Sequence, residues 1–231
     1  MGAMEFRDVV RRRRMVRNYD PHRPVPSEVR ERLLETAIRA PSAGFSQGWG
    51  FLVLEDSADR DRFWRATTPD AERGGPWLAG MRNAPLIIVV HSNKRVYLDR
   101  YAEPDKGWTD RDEARWPVPY WHMDAGNAGL LMLLTAVDEG LGACFFGIPP
   151  ERTTTYRAAF GVPEEYTPVG AVTVGYGAED HRSGSLARGR RPVREVVRRG
   201  RWSDPAESDP TEHGSPAKHE SPADSGRRER P

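Results

Sequence analysis

The sequence predicts a mixed α+β fold in one well-cored body over residues 1–202, followed by a disordered tail over 203–231. Three observations predict it. Apolar stretches of helical and of strand period alternate along the body. No glycine-rich loop sits between a strand and a helix, which argues against a doubly wound sheet. From Ser203 onward the chain turns to proline, serine, glutamate and aspartate, with no valine, leucine, isoleucine, methionine, phenylalanine, tyrosine or tryptophan. Such a segment buries too little surface to offset the entropy of ordering it. A chain of 231 residues has room for one domain or two small ones, and one is the default.

The elements follow in order. Phe6, Val9 and Val10 recur at helical spacing, so a helix is predicted over roughly 4–13, ending in the arginine run Arg11 to Arg14. Pro24 and Pro26 interrupt the chain, Ser27 is placed to cap, and Val29, Leu33, Ala37 and Ile38 form the apolar face of a second helix that Pro41 stops. Phe51 to Leu54 reads as a strand, Ser57 to Thr67 as a charged helix, and Leu86 to Val90 as a buried strand. Between Ser92 and Pro119 no period is visible, which suggests a lid or excursion loop. Its aromatics Trp108 and Trp116, with Tyr120 and Trp121, would form a lid or pack a second core. His122 to Glu139 is the strongest helix, and its stretch AGLLMLLTAV is apolar nearly all round. Such a helix must be covered on every side, by its own domain or by a partner helix approaching over Ala125, Gly126, Ala128 and Gly129. Beyond Gly140 and Gly142 come a strand (Ala143 to Ile148), a helix (about Pro150 to Phe160) and a strand (about Pro168 to Val174).

Composition narrows the function classes. The formal net charge is +1, so no global field draws the chain to nucleic acid or to a membrane. One cysteine, Cys144, excludes an intramolecular disulfide, and six scattered histidines show no spacing typical of a metal site. No apolar run approaches the roughly 18 residues a membrane helix needs, and the N-terminus lacks the apolar core of a signal peptide. Phe6 stands where a myristoylation signal wants serine or threonine. A cytoplasmic setting is expected.

The string GFSQG from Gly44 to Gly48 matches a nucleophile elbow, which would make Ser46 a hydrolase nucleophile. The elbow needs a strand before and a helix after, the reverse of the order here. GLGACFFG has Phe145 where a dinucleotide fingerprint needs its third glycine, and no phosphate-loop G-K-[ST] occurs. Arg11, Arg12, Arg13, Arg14 and Arg17 have three readings. They form a solvated helix end, a nucleic-acid patch that the near-zero net charge weakens, or a clamp whose planar forks bind a phosphate monoester. Arg188, Arg190 and Arg191 would complete such a clamp from the far end of the chain.

Five blocks, in order, carry a resemblance over roughly residues 4–202: RRRRMVRNYDPHRPVP, APSAGFSQGWGFLVLED, RNAPLIIVV, EGLGACFFGI and RRPVREVVRRGRW. Together they resemble the FMN-dependent nitroreductases. The resemblance implies a mixed sheet flanked by helices in an intertwined homodimer, each of two FMN molecules being held by both chains. It implies NAD(P)H as transient electron donor and an electron-poor small molecule, of nitroaromatic, quinone or enone type, as acceptor. Carried over residue by residue, Arg13, Arg14 and Arg17 with Arg188 and Arg190 hold the FMN phosphate and ribityl chain. Pro41, Ser42 and Gln47 lie along the flavin from the partner subunit, and the backbone at Phe146 and Gly147 approaches its N5 edge. No protein acid or base is required, because the flavin carries the chemistry. The bland alternatives are that Ser42 merely ends a helix and Gln47 is a loop hydrogen bonder; His91 and His122 are read as structural. Three positions depart from the family pattern: Met15 for a common serine, Phe45 for a frequent asparagine, and Gly48 for the usual proline. A second class stays open, a flavin-binding relative without nicotinamide turnover, whether sensor, flavin-consuming enzyme or dehalogenase-like protein.

Overall fold

An eight-residue strand with every side chain buried, LIIVVHSN, cannot sit at the margin of a sheet exposed to water, and in the computed structural model it does not. The structure describes residues 4–68, 75–179 and 184–202; the tail from Ser203, expected to be disordered, lies outside them. The chain divides into two units, Met1–His181 and Arg182–Pro231.

In the first unit the buried strand β2 (Leu86–Asn93) pairs antiparallel with β1 (Trp49–Leu54) on one side and β4 (Tyr166–Gly175) on the other. β3 (Gly142–Phe146) pairs antiparallel with β4, giving the order β1-β2-β4-β3. Among the described residues, the parallel component of this sheet is a single bridge, Met15 to Ala143. Side chains alternate between two cores, as the period of a pleated strand requires. Leu86, Ile88, Val90, Ala143, Val172 and Val174 face the core shared with α2 (Ser27–Ala37) and α6 (Tyr120–Asp138). Ile87, Val89, Cys144 and Ala171 face the other, filled by Phe63 and Trp64 of α3 (Ser57–Thr67), Leu78 and Met81 of α4 (Gly75–Arg82) and Tyr156 of α7 (Thr153–Phe160). A bulge leaves Val169 without a register partner between the pairs Val90–Gly170 and His91–Pro168.

Two sequence expectations change, the Ser27 cap and the structureless segment after Ser92, and two further features come from the fold alone. Ser27 does not cap α2: it is already the first helical residue, its hydroxyl bonds the Glu28 carboxylate, and the Pro26 carbonyl accepts the first helical N–H groups, from Val29 and Arg30 at 3.0 Å each. The helix α4 was hidden by its own glycines and proline, which lower helix propensity but are overridden by burial of Leu78 and Met81. The segment after Ser92 is not structureless. β2 runs on to Asn93, whose side chain accepts the Arg95 N–H at 3.0 Å and starts α5 (Lys94–Tyr101). Charges on α5 masked its period, since Tyr97 is its buried residue. The aromatics beyond it pack on one another as a small second core, with Tyr101 at 4.6 Å from Trp116 and 4.9 Å from Trp108 between ring centroids. Finally, α6 is only half covered. Trp121, Asp124, Ala125, Ala128, Gly129, Met132, Leu133 and Ala136 are buried, whereas Met123 and Leu130 keep 48% and 45% of their surface exposed. Leu134 and Val137 continue that stripe, partly buried.

Gly48 now has a physical reason. A Cβ there would lie 2.5 Å from the Tyr97 ring and 2.8 Å from the Asn93 carbonyl oxygen, so neither alanine nor proline fits. Gly48→Ala is expected to destabilise the protein by about 1–3 kcal/mol through overpacking, measured by denaturant unfolding. His91 is buried, its ring hydrogen-bonded to the Gly50 carbonyl at 3.2 Å and the Tyr156 hydroxyl at 3.0 Å. Desolvation lowers its imidazole below the ordinary histidine range. The unfolded chain therefore takes up the proton first: the contribution of neutral His91 is fully present above pH of about 6.5 and is lost as the pH falls below it, by at most about 1.4 kcal/mol per pH unit. His122 is shifted the same way by burial. Unfolding curves from pH 7.5 to 5 should show a shallower acid loss in His91→Gln than in the parent.

Candidate active site

The arginine run leaves α1 (Phe6–Arg12) as an extended segment laid along the sheet edge formed by β3. Its path is fixed by three contacts. The Val16 N–H donates to the Ala143 carbonyl at 3.0 Å, Met15 bridges Ala143, and the buried Tyr19 hydroxyl donates to the Val16 carbonyl at 2.6 Å and lies 2.9 Å from the Thr173 hydroxyl. Of the five arginines, Arg11 pairs with Asp8 at 2.8 Å on the surface, and Arg12 and Arg14 are exposed. Arg13 and Arg17 are half-buried. Arg17 donates to the Met15 carbonyl at 3.4 Å. Arg13 differs: its Nη1 is buried and finds no hydrogen-bond partner among the described residues. A guanidinium nitrogen removed from water and left unpaired is costly, and an anion supplied from outside the chain would satisfy it.

At the opposite end of β3, Phe146 turns its ring into the core of Phe63, Trp64 and Tyr156, stacked on Trp64 with centroids 5.6 Å apart. Its backbone and Gly147 lie at the surface end of the strand, and nothing stands within 4 Å of where a Gly147 side chain would be. The bridge at Ala143 that seats the arginine segment and Phe146 thus share one sheet edge, three residues or about 10 Å of strand apart.

Pro41, Ser42 and Gln47 belong to the loop between α2 and β1. The registers make Phe146 level with Ala171, Val89 and Leu52, so this loop sits at the same end of the sheet as Phe146. It sits at the other edge, three strand spacings or about 14 Å away. Within one chain, therefore, Phe146 and Gly147 approach neither Ser42 nor Gln47, and the arginines lie diagonally opposite the loop. Ser42 uses its hydroxyl to accept the Gln47 N–H at 3.0 Å. Ser46 donates to the Ala43 carbonyl at 2.6 Å, and a helix ending at Ala37 precedes it, so the elbow reading has no support. Arg188 ends a short 3-10 turn (Gly184–Arg188) and Arg190 precedes α8 (Val193–Val196); both are exposed in the second unit.

The residues that hold the loop were not anticipated. Asp124 accepts the Ala43 N–H at 2.9 Å and the Tyr97 O–H at 2.8 Å on one carboxylate oxygen, Oδ2. Arg100 donates to the Gly44 carbonyl at 3.0 Å. Burial, and then the neighbouring carboxylate, push the Tyr97 hydroxyl far above its ordinary range. One signal was present: Asp124 shares the helical phase of Trp121, Ala125 and Ala128, which is the buried face.

No helix among the described residues is long and apolar enough to cross a membrane. The chain is 34% identical over 196 residues to a Bacillus subtilis protein assigned as an NAD(P)H nitroreductase, covering 76% of this chain and 90% of that one. It is 32% identical over 208 residues to the 5,6-dimethylbenzimidazole synthase of Rhodospirillum rubrum, covering 81% and 90%. Its fold matches a nitroreductase-type structure from Exiguobacterium sibiricum solved in complex with FMN, at a TM-score of 0.65 and 20% identity over 88% of this chain and 99% of that one. The sequence profile of the Nitroreductase family matches residues 10–176, through both the arginine segment and β3, and the chain belongs to that family.

Proposed function

We propose that the protein is a cytoplasmic FMN-dependent oxidoreductase that passes electrons from NAD(P)H to an electron-poor small molecule of nitroaromatic, quinone or enone type, working as a homodimer with shared sites. The observation that carries the reading is the buried, unpartnered Nη1 of Arg13, a cation edge that fits a phosphate monoester. Bound FMN would supply the centre that accepts and returns electrons. The chain's own part is to bind and orient. Arg13, Arg14 and Arg17, with Arg188 and Arg190, hold the phosphate and ribityl chain, and Met15 lines the same segment. Phe146 and Gly147 present backbone to the ring. Pro41, Ser42 and Gln47 reach it from the partner subunit.

Two features support the shared site. The diagonal separation of loop and arginines in one chain leaves each half incomplete alone. The open stripe of α6 continues into a groove of about 360 Å³ floored by Phe6, Val9, Leu131 and Leu134, a surface that a second copy would cover. The 32% identity to a synthase rather than a reductase favours a second reading, a flavin-binding chain without nicotinamide turnover. Anaerobic bleaching of the yellow protein by NADH or NADPH supports the first; its absence supports the second.

Arg13→Ala should weaken FMN binding by roughly tenfold to over a hundredfold, corresponding to about 1.5–3 kcal/mol for hydrogen bonds to a charged group. Riboflavin, which lacks the phosphate, should bind almost as before; an equal fall for both flavins would make the arginine structural. Leu134→Asp should cost dimerisation and flavin retention together, because it places a charge in the interface that completes the site. A folded yellow monomer in sedimentation would contradict the shared site.

A further inference from the structure

The loop from Pro41 to Gln47 is held in a backbone conformation that L side chains resist. Gly44, Phe45 and Gln47 all have positive φ, of 61°, 56° and 53°. Glycine takes this region freely, but a phenylalanine and a glutamine do so only when the surroundings over-determine it. Phe45 gains nothing from packing, with 77% of its surface exposed. The constraint must come from hydrogen bonds and from the two ends of the loop.

Both ends rest on one pair of side chains. At the start, the Ala43 N–H donates to Asp124 Oδ2 at 2.9 Å. At the close, Gly48 lies against the ring of Tyr97, whose hydroxyl donates to that same oxygen at 2.8 Å. Asp124 is only 5% exposed and sits on the otherwise apolar packed face of α6, where a leucine or alanine would serve the core without desolvating a carboxyl group. Its chemistry is therefore explained by what it holds. The Ser42 hydroxyl and the Arg100 guanidinium fasten the Gln47 N–H and the Gly44 carbonyl in between.

We propose that Asp124, acting through the Ala43 N–H and Tyr97, is a positioning residue that fixes the Pro41–Gln47 loop for flavin binding. The proposal rests on the flavin-binding reading above. Asp124 touches no flavin itself; it sets the backbone that carries Ser42 and Gln47.

The test uses the full chain and two readouts: amide hydrogen exchange of the flavin-free protein, and FMN affinity by fluorescence. Asp124→Ala should speed exchange across residues 43–47 by tenfold or more while β2 exchanges as before, and should weaken FMN binding by about tenfold, the effect of one lost buried hydrogen bond. Asp124→Asn, whose amide oxygen still accepts both donors, should restore both readouts to within about threefold of the parent. Tyr97→Phe should fall between them, and it carries the comparison if the alanine variant does not fold. Unchanged exchange in the loop overturns the proposal. Equal acceleration in β2 overturns it as well, by making Asp124 a general core residue. Faster loop exchange with unchanged FMN affinity separates the loop from the flavin and also overturns it. A parent protein that binds no FMN removes the flavin-binding reading, and the exchange arm then still reports whether Asp124 holds the loop.

Discussion

An apolar helix packed on one face of a sheet satisfies only half of its circumference, and that asymmetry governs most of what surrounds α6. Its inner face, built on alanine and glycine at 125, 128 and 129, lets the helix settle close over β2, β3 and β4. Close seating has a sharp local expression: Gly129 approaches the Phe145 ring, and Gly170 faces the same ring from the sheet. The inner face also brings Asp124 to the loop ahead of β1, so one helix serves both the core and the candidate site. The outer face carries the unspent apolar area beside α1 and α2, where the bidentate pair of Arg32 and Glu139 rims the groove. Fold and candidate site both draw on this single helix, and the proposed dimer would draw on its remaining face.

Much of this architecture was legible because burial imposes a period. The runs FLVL and LIIVV, and the long stretch of α6, read correctly as strand, strand and helix. The two helices that went unread were of one kind. α4 and α5 earn their helical state from tertiary contacts that their composition does not advertise, Leu78 and Met81 in one and Tyr97 in the other. The aromatic cluster around Trp116 was visible as a concentration of rings, but its inward packing depends on α5 and could not be read before α5 was known.

The site was legible as chemistry and only partly as geometry. Arginine's fixed charge and planar fork made a phosphate clamp one of three readings of the run, and the unpartnered nitrogen of Arg13 is the feature on which that proposal rests. Which arginine would be half-buried depends on how the segment leaves α1, and neighbouring Arg12 and Arg14 look identical in a string of letters. The loop was recognised by Pro41, Ser42 and Gln47, yet its supports lie 56 and 81 positions away in α5 and α6, as the separations of the Arg100 and Asp124 bonds record. Long-range hydrogen bonds leave no local pattern. Gly48 is intermediate: its departure from the family proline was noticed, and its cause, the Tyr97 ring, required the fold.

The buried hydroxyl of Tyr19 bears on how quickly and how firmly a ligand is held. By bonding the Val16 carbonyl and reaching Thr173, it anchors the arginine segment to the sheet before anything is bound. The ordering of that backbone is thus completed during folding, and an anion bound there as proposed would lose no affinity to it. On the proposed site, association would need no prior rearrangement of the segment, so flavins with and without a phosphate would share similar capture rates and diverge in residence time.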